Sequence, residues 1–469
     1  MNMKKLMLAS AVASSLAGLY GCSEGDDSSI SITTTGSAST GLSIGCPSWS
    51  TAKPVDATNG DNVCALPATI LEDRNLTNDI VWYLEGRVTV GNGNGEMSST
   101  EGVLSNGGNV VSATLSLEPG TQVKAKKGTF ANLVITRGSE IDARGTADEP
   151  IVFSSDDAGE DGTGEWGGLI LHGYARHNGI PNSTVARCAD TVQARNIDSE
   201  GESGFAGGCD DSDSSGVLRY VVVAEGGYEF APGNEINGVS FVAVGSGTEV
   251  DHIQVHNNAD DGVEFYGGTV DAKYLVLTNN LDDSIDWDEG YTGKIQYVIV
   301  KQSPDTGGNA IEADSEGSAI GSLNDFFLSK PVIANATFIG DGSQDTLLVF
   351  KKESAGVLHH TVLTGAAGSL IDTCVDSSDT TASASDLLGT TIVADCTTSG
   401  DTDVVAATIA DVMLDAATYA SGATEATTVG ALYAQTVDED FFDDTTYAGA
   451  VNPAVSDDWF SAWIVDGSL

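Results

Sequence analysis

The pentad Asp261-Gly262-Val263-Glu264-Phe265 has relatives on both sides of it. Asn237-Gly238-Val239-Ser240-Phe241 precedes it at a spacing of 24, Asp283-Ser284-Ile285-Asp286-Trp287 follows at 22, and Asn309-Ala310-Ile311-Glu312-Ala313 at a further 26. Leu347-Leu348-Val349 continues the series. Each copy opens on small polar residues and then alternates apolar, polar, apolar. That alternation marks a short strand with one buried face. An upstream motif, Leu117-Glu118-Pro119-Gly120-Thr121-Gln122-Val123, matches Ile135-Thr136-Arg137-Gly138-Ser139-Glu140-Ile141 at a spacing of 18, and Leu84-Glu85-Gly86-Arg87-Val88 has the same form. Read together, these are coils of a solenoid whose repeat spacing runs from 18 to 26. Units this short, without helical periodicity between strands, favour an all-β parallel β-helix over a leucine-rich horseshoe.

Composition agrees. The 469 residues include 56 Gly, and 41% are apolar, enough to build a core. There are 68 acidic and 20 basic residues, a net charge of 20 − 68 = −48. Nucleic-acid binders neutralise phosphates with clustered Lys and Arg, so this balance argues against a nucleic-acid partner. It argues equally against electrostatic adhesion to anionic lipid.

Several segments carry a family resemblance: Leu115-Ser116-Leu117-Glu118-Pro119-Gly120-Thr121, Gly145-Thr146-Ala147-Asp148-Glu149-Pro150-Ile151, Trp166-Gly167-Gly168-Leu169, and Asp260-Asp261-Gly262-Val263-Glu264-Phe265-Tyr266-Gly267-Gly268. With the ending Phe441-Phe442-Asp443, Trp459 and Trp463, the chain from about residue 75 resembles secreted or lipid-anchored right-handed parallel β-helix proteins of Gram-negative bacteria. The resemblance implies a pectate-lyase-like fold and no particular activity. The expected organisation is a signal over 1–21, a tether and disulfide-pinned entry over 22–70, the β-helix over 71–370, and a capping region over 371–469. Asp403 to Ala417 reads as a short amphipathic helix in that cap.

Lys4 and Lys5 followed by the apolar run Leu6 to Leu19 read as an export signal. Leu19-Tyr20-Gly21-Cys22 resembles a bacterial lipobox, which implies acylation of Cys22; an ordinary secretory signal with a chance cysteine is the other reading. Cleavage before Cys22 leaves 18 − 68 = −50. Ser23, where Asp would favour the inner membrane, implies the outer membrane, so the one bilayer contact expected is through the acyl anchor. The remaining cysteines group locally as Cys46 with Cys64, Cys188 with Cys209 and Cys374 with Cys396. In an oxidising compartment these read as three disulfides, with a metal site as the alternative.

The strongest chemical candidate is acidic. The alternation turns Val263, Ile285 and Ile311 inward and stacks Glu264, Asp286 and Glu312 outward, flanked by Asp260, Asp261, Asp282, Asp283, Asp288 and Asp314. Carboxylates about 5 Å apart repel by roughly 0.8 kcal/mol in water but roughly 3 kcal/mol at an effective dielectric of 20. Exposure therefore decides between a solvated face and a site needing a cation, for which Ca2+ is suited. Paired carboxylates also serve glycosidic-bond cleavage, but the Gly-His-Gly and Arg-Ile-Lys motifs of polygalacturonases are missing, and no Arg follows Arg219. Lys273, Lys301 or Lys351 would have to stand in for a basic group. Asp210, Asp211 and Asp213 form a second acidic loop. His252 and His256 fall on one face of a strand, too far apart to chelate one ion.

No catalytic residue is assigned. The expected function is a non-catalytic envelope or surface scaffold for a glycan or another extracellular ligand, with an outer-membrane receptor as a further partner. The alternatives are a calcium-dependent polysaccharide lyase or glycoside hydrolase, and a structural or adhesive surface protein. A groove with Lys or His at the carboxylates would favour the enzyme; a flat acidic face would favour the scaffold.

Overall fold

The four pentads become parallel neighbours. Val239 pairs with Val263, Val263 with Ile285, Ile285 with Ile311, and Ile311 with Leu348. These strands belong to an eleven-stranded sheet running from Thr69–Ile70 to Thr397–Ser399. The computed structural model describes residues 42–469 except 56–59, 101, 179–195, 305–306, 316–327, 342–345, 366–372, 381–386, 388–391, 394–396, 400–429, 436 and 455–458.

Two further faces complete each early coil. One holds Arg74–Leu76, Thr114–Leu117 and Glu140–Arg144; the other holds Asn62–Ala65, Ile80–Leu84, Gln122–Ala125 and Ile151–Ser155. Both faces run into one long strand, Gly216–Ala224. Its first half pairs with Glu140–Arg144 and its second half with Ile151–Ser155. Later coils repeat this bent strand at Glu249–His256, Asp271–Thr278, Lys294–Lys301 and Val332–Gly340. The chain is thus an all-β parallel β-helix, as its repeat predicts. Nearly all pairings are parallel; Thr51–Ala52 with Asn62–Ala65 and Ile197–Asp198 with Phe205–Ala206 are antiparallel.

The bend in each long strand is one residue in the left-handed region: Tyr220, His252, Tyr274, Tyr297 and Asn335, with φ of 48° to 64°. Such a conformation strains most L-residues. Here it sets the rings in a stack, with centroids 4.2 Å apart from Tyr220 to His252, 4.2 Å from His252 to Tyr274 and 4.7 Å from Tyr274 to Tyr297. The bend also separates His252 from His256. They do not share a face, because a left-handed residue breaks the alternation on which that expectation rested.

The spacing of 18 is not the length of a coil. Thr114 pairs with Glu140, so successive coils there are offset by 140 − 114 = 26 in sequence. The three upstream motifs are three corners of the triangle, not copies of one. They look alike because each corner makes the same demand: an inward apolar residue, a turn, and another inward apolar residue. Gly120 and Gly138 supply the turn at φ 79° and 76°.

The interior is filled by aligned columns. Val239, Val263, Ile285 and Ile311 form one, and Phe241, Phe265, Trp287 and Ala313 the next, all buried. Phe241 stacks on Phe265 at 5.1 Å, and Phe265 on Tyr291 at 4.4 Å. Burying each large side chain contributes about 1.5–3 kcal/mol. Trp82 and Trp166 belong to this core.

The ladder runs past the expected boundary at 370: Thr373–Asp376, Ile392–Val393 and Thr397–Ser399 still pair in parallel with earlier coils. The described part of the expected cap, beyond residue 430, lies along the flank of the bent sheet. Trp463 meets Tyr220 edge-on at 5.8 Å and Trp459 meets Tyr274 at 5.1 Å. Gln254 accepts from the Val465 amide, and Thr337 from the Ala450 amide. The segment therefore acts as a strap over the outward aromatic stack. The helix expected at 403–417 lies outside the described residues.

Cys46 and Cys64 form a disulfide. Cys209 and Cys374 are also disulfide-bonded; their expected partners, Cys188 and Cys396, lie outside the described residues, as does Cys22. Among the described residues no helix is long and apolar enough to cross a membrane.

Candidate metal centre

The outward column of the eleven-stranded sheet changes character along its length. Val134, Ile170 and Ser240 are followed in register by Glu264, Asp286 and Glu312. The first part is covered: Val134 and Ile170 pack with Val242 against Ala206 and Ile236. Ala206 belongs to the insertion over 174–216, so the described part of that insertion around Ala206 roofs the sheet. Its internal clamp is Arg137, whose guanidinium donates to the carbonyls of Gly93, Gly95, Ala206 and Gly207. Under the edge of this roof the acidic column begins.

The expected stacking of Glu264, Asp286 and Glu312 is therefore present; Glu264 is enclosed with Asp261 and Asp283, Asp286 and Glu312 are half-buried, and Asp282 is exposed. Glu264 is 8% exposed, Asp261 6% and Asp283 4%. Local hydrogen bonds explain why Asp and Asn recur at this corner. Asp261 Oδ1 accepts the Asp283 amide at 2.9 Å, and Asp283 Oδ1 accepts the Asn309 amide one coil on. Asn237 Oδ1 accepts the Asp261 amide, and Asn237 Nδ2 donates to Glu264 Oε2. Each coil's side chain satisfies the next coil's backbone.

Those bonds leave many oxygens over. Three overlapping sets place one carboxylate oxygen per residue within 4.8 Å of one another: Asp260, Asp261 and Asp282; Asp261, Glu264 and Asp286; Asp283, Asp286 and Glu312. Twice a calcium–oxygen distance of about 2.4 Å is the same span. Asp286 Oδ1, Asp288 Oδ1 and Asp314 Oδ1 are shut from solvent and accept no hydrogen bond. All seven acids expected to ligate metal are thus brought into one cluster. Asp288 and Asp314 extend it along the next outward column.

The electrostatics follow from burial. Burial, then the charge of Asp283 and further acids, pushes the Asp261 carboxyl well above the usual range. Glu264, Asp283, Asp286 and Asp288 are raised in the same way, burial first and neighbouring carboxylates next. Asp260 is pushed up to about 7 by burial and then by Glu200. Glu200 also rises to about 7 through burial, although hydrogen bonds from Ser240 and Asn237 oppose the shift. At neutral pH such a cluster holds protons or a cation. Two lysines close its far end: Lys351 contacts Glu312, and Lys352 Nζ lies 2.8 Å from Asp314.

Glu200 joins the acids from outside the repeat. It arrives from the insertion, accepts the Asn237 amide at 2.8 Å and the Ser240 hydroxyl, and carries no sequence signal. With Glu202, Phe230, Glu235, Asp260, Tyr266 and Asp282 it lines a cleft of roughly 560 Å³ beside the cluster.

Other candidates resolve as structure. Asp157, Glu165 and Glu225 also converge, but Lys127 already lies 2.6 Å from Asp157 and 2.5 Å from Glu165. Asp210 caps Ser212, Asp211 pairs with Arg176, and Asp213 accepts the Tyr174 amide. Asn257 and Asn279 occupy left-handed corner positions at φ 56° and 57°. Lys273 contacts Asp443 of the strap and so lies away from the cluster.

A family model described as a pectate-lyase like beta helix domain matches residues 104–464, which is 464 − 104 + 1 = 361 of the 469 residues. Neither the curated proteins nor the solved structures yield a match. The match covers most of the described coils, the acidic cluster and the strap, and the chain belongs to the pectate-lyase-like β-helix domain family.

Proposed function

We propose that the chain is a cation-dependent, non-catalytic scaffold that binds an extracellular glycan beside the acidic cluster. The same reading keeps it at the outer membrane through a lipid on Cys22. The observation that carries it is the convergence of carboxylate oxygens within a calcium-sized span, with Asp286 left unsatisfied. Calcium takes six to eight oxygens, so sets of three leave positions for hydroxyl or carboxylate oxygens of a ligand. The adjoining cleft offers Phe230 and Tyr266 as apolar surface among its carboxylates. The test is a glycan array and pull-down with the purified mature chain in calcium and in chelator. Binding in calcium alone supports the reading. Equal binding in chelator, or none in either, defeats it.

A second reading, a polysaccharide lyase or hydrolase, is favoured by one observation. The acids lie in a recess, and Lys351 and Lys352 reach them. Against a base role, burial lowers the pKa of Lys351 but Glu312 and further acids outweigh it, so the amine stays a cation. Product analysis on the same glycans separates the readings: chain shortening or new unsaturated ends require the enzyme.

A further inference from the structure

We infer that the cluster holds two divalent cations in adjacent sites that share Asp286 as the bridging carboxylate. This rests on the cation reading above and goes beyond it in stoichiometry and order of filling.

Hydrogen bonds leave the acids with unequal numbers of free oxygens. Asp261 has Oδ1 engaged by the Asp283 amide, Asp283 has Oδ1 engaged by the Asn309 amide, and Glu264 has Oε2 engaged by Asn237. Each therefore has one oxygen free of hydrogen bonds; Asp261, which the first and second sets share, is assigned to the second, because the first set includes the exposed Asp282. Asp286 differs: among the described residues neither of its oxygens accepts a hydrogen bond, and its Oδ1 is closed off from water. It is also the one residue common to the second and third carboxylate sets. A carboxylate left bare in a recess costs free energy unless a proton or a cation meets it, and a cation can serve both of its oxygens. Asp314, 9% exposed and with an unpartnered Oδ1, adds its charge to Asp286 from the next coil. Asp286 thus has one oxygen for an ion held with Asp261 and Glu264, and one for an ion held with Asp283 and Glu312. The two sites are about one coil spacing, roughly 4.8 Å, apart.

The sites are not equivalent. Glu312 is already met by the Lys351 ammonium, whereas no lysine contacts Asp261 or Glu264 among the described residues. The first ion therefore enters beside Glu264. The second must displace the ammonium or share Glu312 with it. Lys351 acts as a resident competitor of the second ion, so its removal strengthens binding, the opposite of what damage to the fold would do.

The test is isothermal titration of calcium into the purified mature chain at physiological salt, with Glu312→Gln, Asp286→Asn and Lys351→Met beside it. Folding of each variant is checked by circular dichroism in chelator. Two ions per chain are expected, the second weaker. Glu312→Gln should weaken the second by about tenfold or more and spare the first, while Asp286→Asn should weaken both. Lys351→Met should tighten the second by about tenfold and leave the first unchanged. One ion per chain, indifferent to Glu312→Gln and Lys351→Met, overturns the bridge and leaves the cation reading standing. No bound ion in the wild type overturns both.

Discussion

At the scale of single residues, the acids of the cluster make opposite demands at different pH. Glu200 and Asp260 have folded-state pKa values of about 7, against ordinary values of 4.5 and 3.8. Between about pH 4 and 7 the folded chain binds their protons more tightly than the unfolded chain does. Stability from these groups is complete below the ordinary values and is lost as pH rises through about 7. In chelator, the urea midpoint should therefore fall between about pH 5 and pH 8. The loss should be on the order of 2 kcal/mol after allowing for solvent screening. The double variant Glu200→Gln/Asp260→Asn should flatten the dependence, and a wild-type midpoint that rises over this range would contradict the assignment. Part of this chemistry is legible in the sequence. The alternation at Val263-Glu264-Phe265 is enough to stack Glu264, Asp286 and Glu312 outward. The degree of enclosure is not, because the roof and Glu200 come from an insertion whose docking no local pattern encodes.

At the scale of elements, the bent strands rest on residues that hold a left-handed φ while their rings stack. Tyr274 touches His252 and Tyr297 at 4.2 and 4.7 Å and takes Trp459 edge-on. Tyr274→Asn keeps a side chain that tolerates the left-handed region and loses the rings, at a cost of about 1–2 kcal/mol. Tyr274→Val adds a β-branched residue at that φ and should cost about 1–2 kcal/mol more. Denaturant midpoints of the two variants check the order; a Val variant as stable as the Asn variant would remove the strain from the explanation. The repeat of the pentads is legible because small polar corners, such as Asn237-Gly238 and Asp261-Gly262, coincide with apolar alternation in each coil. The shorter upstream spacing misleads because all three corners of a triangular coil solve one steric problem with one residue pattern. The strap is illegible for a different reason. Its Trp459 and Trp463 mark an apolar surface, but nothing local says whether that surface closes an end or covers a flank.

At the scale of the whole molecule, a chain of net charge −48 gathers its most strongly raised carboxyls on one recessed stripe and lays its C-terminal segment over the bent sheet. The lipobox-like Leu19-Tyr20-Gly21-Cys22 predicts that Cys22→Ser releases the protein from the membrane fraction, read by detergent partitioning. Retention of that variant would leave the export signal and remove the anchor. The cation site is tested most directly by thermal melting in chelator, in millimolar calcium and in millimolar magnesium at constant ionic strength. Calcium binding to the folded state alone stabilises it, by about 2.7 kcal/mol at a hundredfold excess over the dissociation constant. Magnesium prefers a tighter octahedral shell and should do much less. The predicted result is a calcium-specific rise that disappears in Glu264→Gln/Asp286→Asn; an equal rise with both ions, which is general screening, or no rise with either, would contradict it.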